Sequence, residues 1–308
     1  MSPARDDLSH IHRPVMVSEV LGHLLASENV PQAATRLVVD GTVGLGGHAL
    51  AILEHAADVH VLGLDRDAEA LALARERLQA HAERLRLEHA SYAELDQVLA
   101  SSGEAAPAGI LLDLGASSLQ FDDAERGFSF RTPSPDVDMR FDRSSDEPTA
   151  LELVNDLPEA ELSRILHEYG EEPRSRAVAR ALVEARPIED GARLVDVVRR
   201  NAWRTRRHDA ATRTFQALRI AVNEEYQHIE RGLRTALDVV APGGRIVVLS
   251  FHSGEDRIVK NVFRDAAKAG RGTVRTKKPE RPSEGEVQEN VRARPAKLRA
   301  FEKAGTGS

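Results

Sequence analysis

No cysteine occurs among the 308 residues, which removes disulfides and thiolate metal sites from consideration at once. Nor is there a run of 18 or more apolar residues, so no membrane-spanning helix is expected. The opening MSPARDDLSH has no apolar core of the kind a signal peptide carries. Together these absences make the cytoplasm the simplest location. Strand candidates are missing between about residues 120 and 210. An excess of base is missing too: 42 Lys and Arg face 49 Asp and Glu, for a net charge of −7. That argues against a surface that binds nucleic acid everywhere.

With 41% hydrophobic residues, the chain has enough apolar side chain for one large or two smaller cores. Its charge is unevenly spread. The stretch from Asp122 to Glu147 is acidic, whereas Arg199, Arg200, Arg204, Arg206 and Arg207 bring five arginines with no acid between them. Basic clusters return at Lys268 to Arg281 and at Arg292 to Lys303. Local patches decide where phosphates dock, although such runs also serve as ordinary solvated faces.

Periodicity predicts a short amphipathic helix over 17–25, then strands at Arg36–Asp40, Val59–Asp65, Leu85–His89 and Gly109–Leu114, with helical segments between them. Asp67 is placed to cap the helix that follows the second strand. Strands alternating with helices define a doubly wound α/β core with a parallel sheet. The Pro- and Asp-rich segment Phe121–Asp146 carries Phe121, Phe128, Phe130, Met139 and Phe141, which favours an ordered, packing loop. Helices are expected at 158–169, 174–185 and 194–201. A long helix, Ala211 to Val240, then returns to the core, and Arg245–Phe251 is a fifth strand. Ser253 is the expected cap of a helix over 255–263, 268–286 reads as a basic linker, and 296–301 as an added edge strand. The domain reading is therefore a sheet domain of residues 1–121 and 209–308 interrupted by a helical insertion, 122–208.

The stretch Asp40-Gly41-Thr42-Val43-Gly44-Leu45-Gly46-Gly47-His48 follows the first strand and opens a helix. Glycines there let a ligand approach the main chain. Gly44, Gly46 and Ala49 fit the loose dinucleotide fingerprint, with Asp65 about 20 residues on; the same parts suit S-adenosylmethionine. Asp40, Asp65 and Asp113 all arrive at the carboxyl edge of the sheet, where open α/β folds bind ligands. An acid ahead of the glycines suits a ligand with an α-amino group, a ribose diol and an adenine better than it suits NAD.

With these residues in place, the chain resembles the 16S ribosomal RNA cytosine-N4 methyltransferase family (RsmH, also called MraW). The matching stretches include HRPV at 12–15, DGTVGLGGH at 40–48, GLDRD at 63–67, ILLDLGASSLQFDDAERGFSF at 110–130, VDMRFD at 137–142, YGEE at 169–172, ATRTFQALRIAVNEE at 211–225, APGGRIVVLSFHSGEDRIVK at 241–260 and NVRARPAKLRA at 290–300. The resemblance implies a class I, Rossmann-like methyltransferase sheet whose helical insertion recognises substrate. It also implies S-adenosyl-L-methionine as cofactor, and methyl transfer to N4 of a cytidine in the decoding region of 16S rRNA within the small subunit. Its cofactor contacts fall on Gly46, Gly47, His48, Asp65, Tyr92, Asp113 and Gln120. Val43 and Leu45 stand where Phe and Arg are common, Gly254 where Leu is usual and Val291 where Pro is usual. The segment 131–136 is one residue longer than the family's.

Many amino-methyltransferases carry an Asn/Asp-Pro-Pro-aromatic motif at the end of strand four, but Asp113-Leu114-Gly115-Ala116 has neither proline nor aromatic. Asp113 is the expected catalytic group, accepting a hydrogen bond from N4. On one helical wheel Ala211, Phe215, Leu218 and Val222 form a core face beside a polar stripe of Thr212, Gln216, Arg219 and Asn223. That stripe, with Ser250 and His252, is the candidate cytidine surface. The basic runs 199–207 and 292–303 are the candidate rRNA phosphate contacts. No metal ligand set is expected, and a homodimer is the assembly considered. Two other readings stay open at this point: a non-catalytic cofactor-binding ribosome-assembly factor, and a nicotinamide-dependent oxidoreductase.

Overall fold

The computed structural model describes residues 14–26, 36–203 and 209–305. His12 and Arg13 of the first matching stretch, and Arg204, Arg206 and Arg207 of the basic run, lie outside them. The chain divides into two compact units, one of residues 1–115 and 226–308 and one of residues 116–225. Among the described residues no helix is long and apolar enough to cross a membrane.

The first unit is built on a seven-stranded sheet of β1 (Arg36–Asp40), β2 (Val59–Asp65), β3 (Leu85–His89), β4 (Gly109–Asp113), β5 (Arg245–Ser250), β6 (Gly272–Val274) and β7 (Lys297–Lys303). Their spatial order is β3-β2-β1-β4-β5-β7-β6. The first five run parallel, and β7 is antiparallel to both β5 and β6. The expected edge strand at 296–301 is thus interior, because the segment read as a basic linker supplies β6 outside it. Successive residues of a strand point to opposite faces, and this splits the apolar runs. Val38, Val61, Leu111 and Val247 join one core with Val20 and Leu24 of α1 (Val17–Leu24) and Ile52 and Leu53 of α2 (Gly47–His55). Val39, Leu62, Ile110, Leu112 and Val248 join the other. Burial on both faces explains why these strands read as nearly continuous apolar runs. Asp67 caps α3 (Ala68–Arg77), accepting from the Glu69 and Ala70 amides. A turn at Tyr92–Glu94 leads into α4 (Leu95–Ser102).

The second unit is helical: α5 (Ser118–Asp122), α6 (Ala150–Asp156), α7 (Glu159–Glu168), α8 (Ser175–Glu184), α9 (Gly191–Asn201) and α10 (Ala211–Val222), with no strand among its described residues. The long segment before α6 is ordered by packing. Phe128, Val137 and Met139 are buried, the Phe128 and Phe141 rings stack at 5.9 Å, and Phe130 meets Phe215 edge-on at 5.7 Å. The buried Arg126 guanidinium donates to the Arg140 and Phe141 carbonyls at 3.0 and 3.1 Å.

The single helix expected over 211–240 is two. Glu224 takes the left-handed conformation with φ 49° and separates α10 from α11 (Glu225–Val239). The expected core face of α10 is indeed buried, but its core is that of the helical unit. The boundaries expected at 121 and 209 therefore move to 115 and 226, and α10 leaves the sheet domain. The polar stripe also changes meaning. The Asn223 amide accepts from the Phe141 amide at 2.7 Å and donates to the Met139 and Arg219 carbonyls at 2.7 and 2.9 Å. Arg219 forms a two-pronged pair with Glu225 at 2.7 and 2.9 Å, and Gln216 donates to the Tyr169 carbonyl at 3.1 Å. Three of the four proposed cytidine contacts hold their own unit together. Replacing Asn223 with Ala leaves the Phe141 amide and Met139 carbonyl without this partner. We expect a loss of about 2–4 kcal/mol in urea unfolding, and a loss below about 0.5 kcal/mol would show that water replaces the side chain.

Candidate active site

The sheet order places a topological switch point between β1 and β4, whose connections leave in opposite directions and open a crevice at the carboxyl ends. The loop after β1 is stitched to β4 there. The Gly41 amide donates to the Leu111 carbonyl at 2.9 Å, and the Asp113 amide donates to Thr42 Oγ1 at 2.6 Å. A Cβ on Gly41 would lie 2.6 Å from Leu112 Cδ2 and 2.9 Å from Tyr92 Cβ, so only glycine permits the approach. Gly44 and Gly46 have φ of 51° and 77°, a region that side chains with Cβ rarely occupy. Asp65 braces this loop, its Oδ2 accepting from the Gly44 amide at 2.7 Å and its Oδ1 from the Asp67 amide at 2.9 Å. Gly47 then opens α2, whose first amides have no partner within the helix.

Asp40 and His48 are buried along this edge, with Asp65 and Asp113 partly buried beside them. Burial pushes Asp40 up to about 7, against the opposing attraction of His48. Burial likewise raises Asp65 to about 6. Asp113 rises to about 7 through burial and then through the charge of Glu255. Burial lowers His48, while Asp40 and Glu286 pull the other way. Among the described residues the buried Asp113 Oδ1 atom has no hydrogen-bond partner, and its Oδ2 lies 3.6 Å from His48 Nδ1.

The other expected contacts are distributed as follows. The His48 ring is buried with Nε2 2.9 Å from the Val15 carbonyl, which leaves its backbone to line the loop. The Tyr92 ring packs on α11, where a Cβ at Gly232 would come within 2.3 Å of Tyr92 Cδ2. Gln120 belongs to the helical unit, where its carbonyl accepts from the Ser117 amide and completes a capping box. Ser250 is buried at the end of β5 and donates weakly to the Lys297 carbonyl at 3.4 Å. His252, rather than Ser253, caps α12 (Ser253–Lys268). Both Ser250 and His252 thus make local contacts at the end of β5. Thr212 lies in the first turn of α10.

The basic runs are also partly spoken for. Arg199 pairs with Asp209 at 2.8 Å and Arg200 with Asp196 at 2.9 Å. Lys297 and Arg299 share Asp256 at 3.2 and 2.6 Å, and Lys303 donates to the Asp238 and Val240 carbonyls. These cations fix local structure, so the described part of each run is a weaker phosphate surface than its composition implies.

Sequence reasoning missed Thr42, a hydroxyl inside a glycine loop that anchors a strand 71 positions away. It also missed Glu255, fully buried, whose Oε2 accepts from the Phe251 and His252 amides at 2.7 and 3.2 Å. The signal available was an acid directly after a strand-to-helix turn. Gly254, a departure from the family pattern, has a physical reason: a Cβ there would sit 1.8 Å from the Tyr226 hydroxyl.

The donor set decides between the two cofactors. Pyrophosphate would bring negative charge against three acids, whereas a cationic ligand relieves them. The glycine cradle, Asp65 and the partnerless Asp113 oxygen therefore fit a sulfonium-bearing amino acid joined to a nucleoside. A parallel sheet closed by an antiparallel seventh strand, with this edge, defines a class I S-adenosylmethionine-dependent methyltransferase. The model of the MraW methylase family matches residues 9–304, and the chain belongs to that family. It is 48% identical to the ribosomal RNA small subunit methyltransferase H of Geobacter sulfurreducens, over 95% of this chain and 98% of that protein. The protein of the same name from Thermotoga neapolitana is 45% identical over 96% of each chain, and that of Citrifermentans bemidjiense 49% identical over 86% and 91%.

Two measurements probe the site without turnover. Folded Asp113 keeps its proton to about pH 7 against an ordinary value of 3.8. The folded state therefore binds more protons between those limits, and stability falls as pH rises through them. Asp113→Asn removes that share and should resist urea better than wild type at pH 8, by on the order of 2–4 kcal/mol; an unchanged pH slope would count against the buried acid. Gly254→Ala should cost about 1–3 kcal/mol, and the cost should vanish in a Tyr226→Leu background. Additive losses across that double-mutant cycle would show the two residues are uncoupled.

Proposed function

We propose that this methyltransferase transfers a methyl group from S-adenosylmethionine to N4 of a cytidine in the decoding region of 16S rRNA, acting on the small ribosomal subunit in the cytoplasm. The observation that carries this reading is the Asp113 Oδ1 atom, buried at the end of β4 with no hydrogen-bond partner among the described residues. A buried acceptor without a donor is costly, and an exocyclic amino group supplies that donor. The names of relatives spanning nearly the whole chain support ribosomal RNA of the small subunit as the substrate class.

Each residue then has a role. The Gly46-Gly47-His48 backbone holds the methionine end. The Asp65 carboxylate accepts from the ribose hydroxyls, and the Tyr92 ring lies against the adenine. Asp113 accepts the N4 hydrogen bond and orients the amine, whose lone pair is delocalised into the pyrimidine ring. S-adenosylmethionine, when bound, supplies a methyl group activated by sulfonium charge. The protein's contribution is to hold the amine in line with it and to exclude water. The cytidine must be splayed from its neighbours to reach the crevice.

Labelled methyl transfer to isolated small subunits, compared with naked rRNA and followed by nucleoside analysis, tests this reading. Label is expected on N4-methylcytidine alone, and its recovery on any other nucleoside would overturn the assignment. Asp65→Ala should weaken S-adenosylhomocysteine binding in calorimetry by about 10–100-fold, in keeping with a lost charge-assisted pair of hydrogen bonds. Unchanged affinity would remove Asp65 from the ribose.

A further inference from the structure

His48 lies beside Asp113, and its tautomer can be read from one contact. Its Nε2 is 2.9 Å from the Val15 carbonyl oxygen. A carbonyl only accepts, so Nε2 carries the hydrogen, and the Nδ1 atom of the neutral ring is a bare lone pair. That lone pair faces Asp113 Oδ2 at 3.6 Å. Catalytic hydrogen bonds are often long before the substrate complex forms. Two lone pairs facing one another repel, and a single proton between them removes the conflict. At rest the pair therefore holds one proton, as Asp113 Oδ2–H directed at His48 Nδ1. The second Asp113 oxygen, Oδ1, is then the carbonyl-like atom with no partner.

We propose that His48 is a positioning residue for the methyl transfer, drawing the N4 proton through the Asp113 carboxyl. The inference rests on the cytidine reading above. When N4 gains its methyl carbon it becomes cationic and must lose one hydrogen. The N4–H bond breaks, its electron pair stays on nitrogen, and the proton forms a bond to Asp113 Oδ1. The Asp113 Oδ2–H bond breaks in concert and the Nδ1–H bond forms, while the carboxyl exchanges its single and double C–O bonds. Charge moves from the amine to the imidazole, and no oxidant or co-reactant is needed. The groups that face this pair are Asp40 from β1 and Glu286 from α13 (Glu284–Glu289) on the His48 side, and Glu255 from α12 on the Asp113 side. All three are acids, and they offset the imidazolium that forms.

His48→Gln keeps a donor in reach of the Val15 carbonyl and deletes the Nδ1 acceptor. It should lower kcat by about 10–100-fold, the usual range for a lost proton acceptor, with S-adenosylhomocysteine affinity within about threefold. Wild-type kcat should fall at acid pH as this pair takes up a further proton, and that fall should shift or disappear in the variant. Full turnover with the wild-type pH profile would overturn the relay and leave the cytidine reading standing. Failure of wild-type protein to make N4-methylcytidine would instead sink that reading and the relay with it. Independently of activity, nitrogen-15 NMR of labelled His48 in the wild-type protein bound to S-adenosylhomocysteine should show the Nε2–H tautomer at pH 8. An Nδ1–H tautomer there would overturn the proposal.

Discussion

The hydrogen bond from the Asp113 amide to the Thr42 hydroxyl, at 2.6 Å, closes the end of β4 onto the loop after β1, and the site depends on it. The connections after β1 and β4 leave in opposite directions at the switch point, so strand pairing ends before the loop is fixed to its neighbour. The stitch does so, together with the Gly41 amide on Leu111. It requires Gly41, because any side chain there would strike Leu112 and Tyr92. It fixes the backbone of Asp113 at the end of β4, beside His48.

The acids at this edge are a stored electrostatic cost. Asp40, Asp65 and Asp113 are each raised toward neutrality by burial, and Asp40 also feels the charges of the other two. Burying like charges together destabilises a fold unless a ligand of opposite sign compensates. The same arrangement that weakens the free protein at high pH favours a cationic cofactor and rejects a pyrophosphate. Burial also gives His48 its meaning. An exposed imidazole would exchange protons with water, whereas this one is confined between the Val15 carbonyl and Asp113.

In both units, polar side chains satisfy the protein's own backbone and its own charges. Asn223 replaces ladder hydrogen bonds for a loop without secondary structure, Glu255 does the same for the turn after β5, and Asp256 neutralises two cations of β7. Irregular segments carry unpaired amides and carbonyls, so the longer they are, the more polar side chains they recruit.

The parallel core, the helical character of the insertion, the capping of α3 and the arrival of three acids at one edge were all legible in the order of residues. Those features follow from short-range periodicity and from the glycines that a close backbone approach demands. The sequence did not reveal the break at Glu224, because the apolar spacing of 211–240 continues through it and only a left-handed φ interrupts the helix. Nor did it reveal the inner placement of β7, since β6 is a three-residue strand inside a polar stretch. The contacts of Thr42 and His48 came only from the folded chain: their partners lie 71 and 33 positions away, and hydrogen-bond geometry across folded segments leaves no periodic trace in the chain.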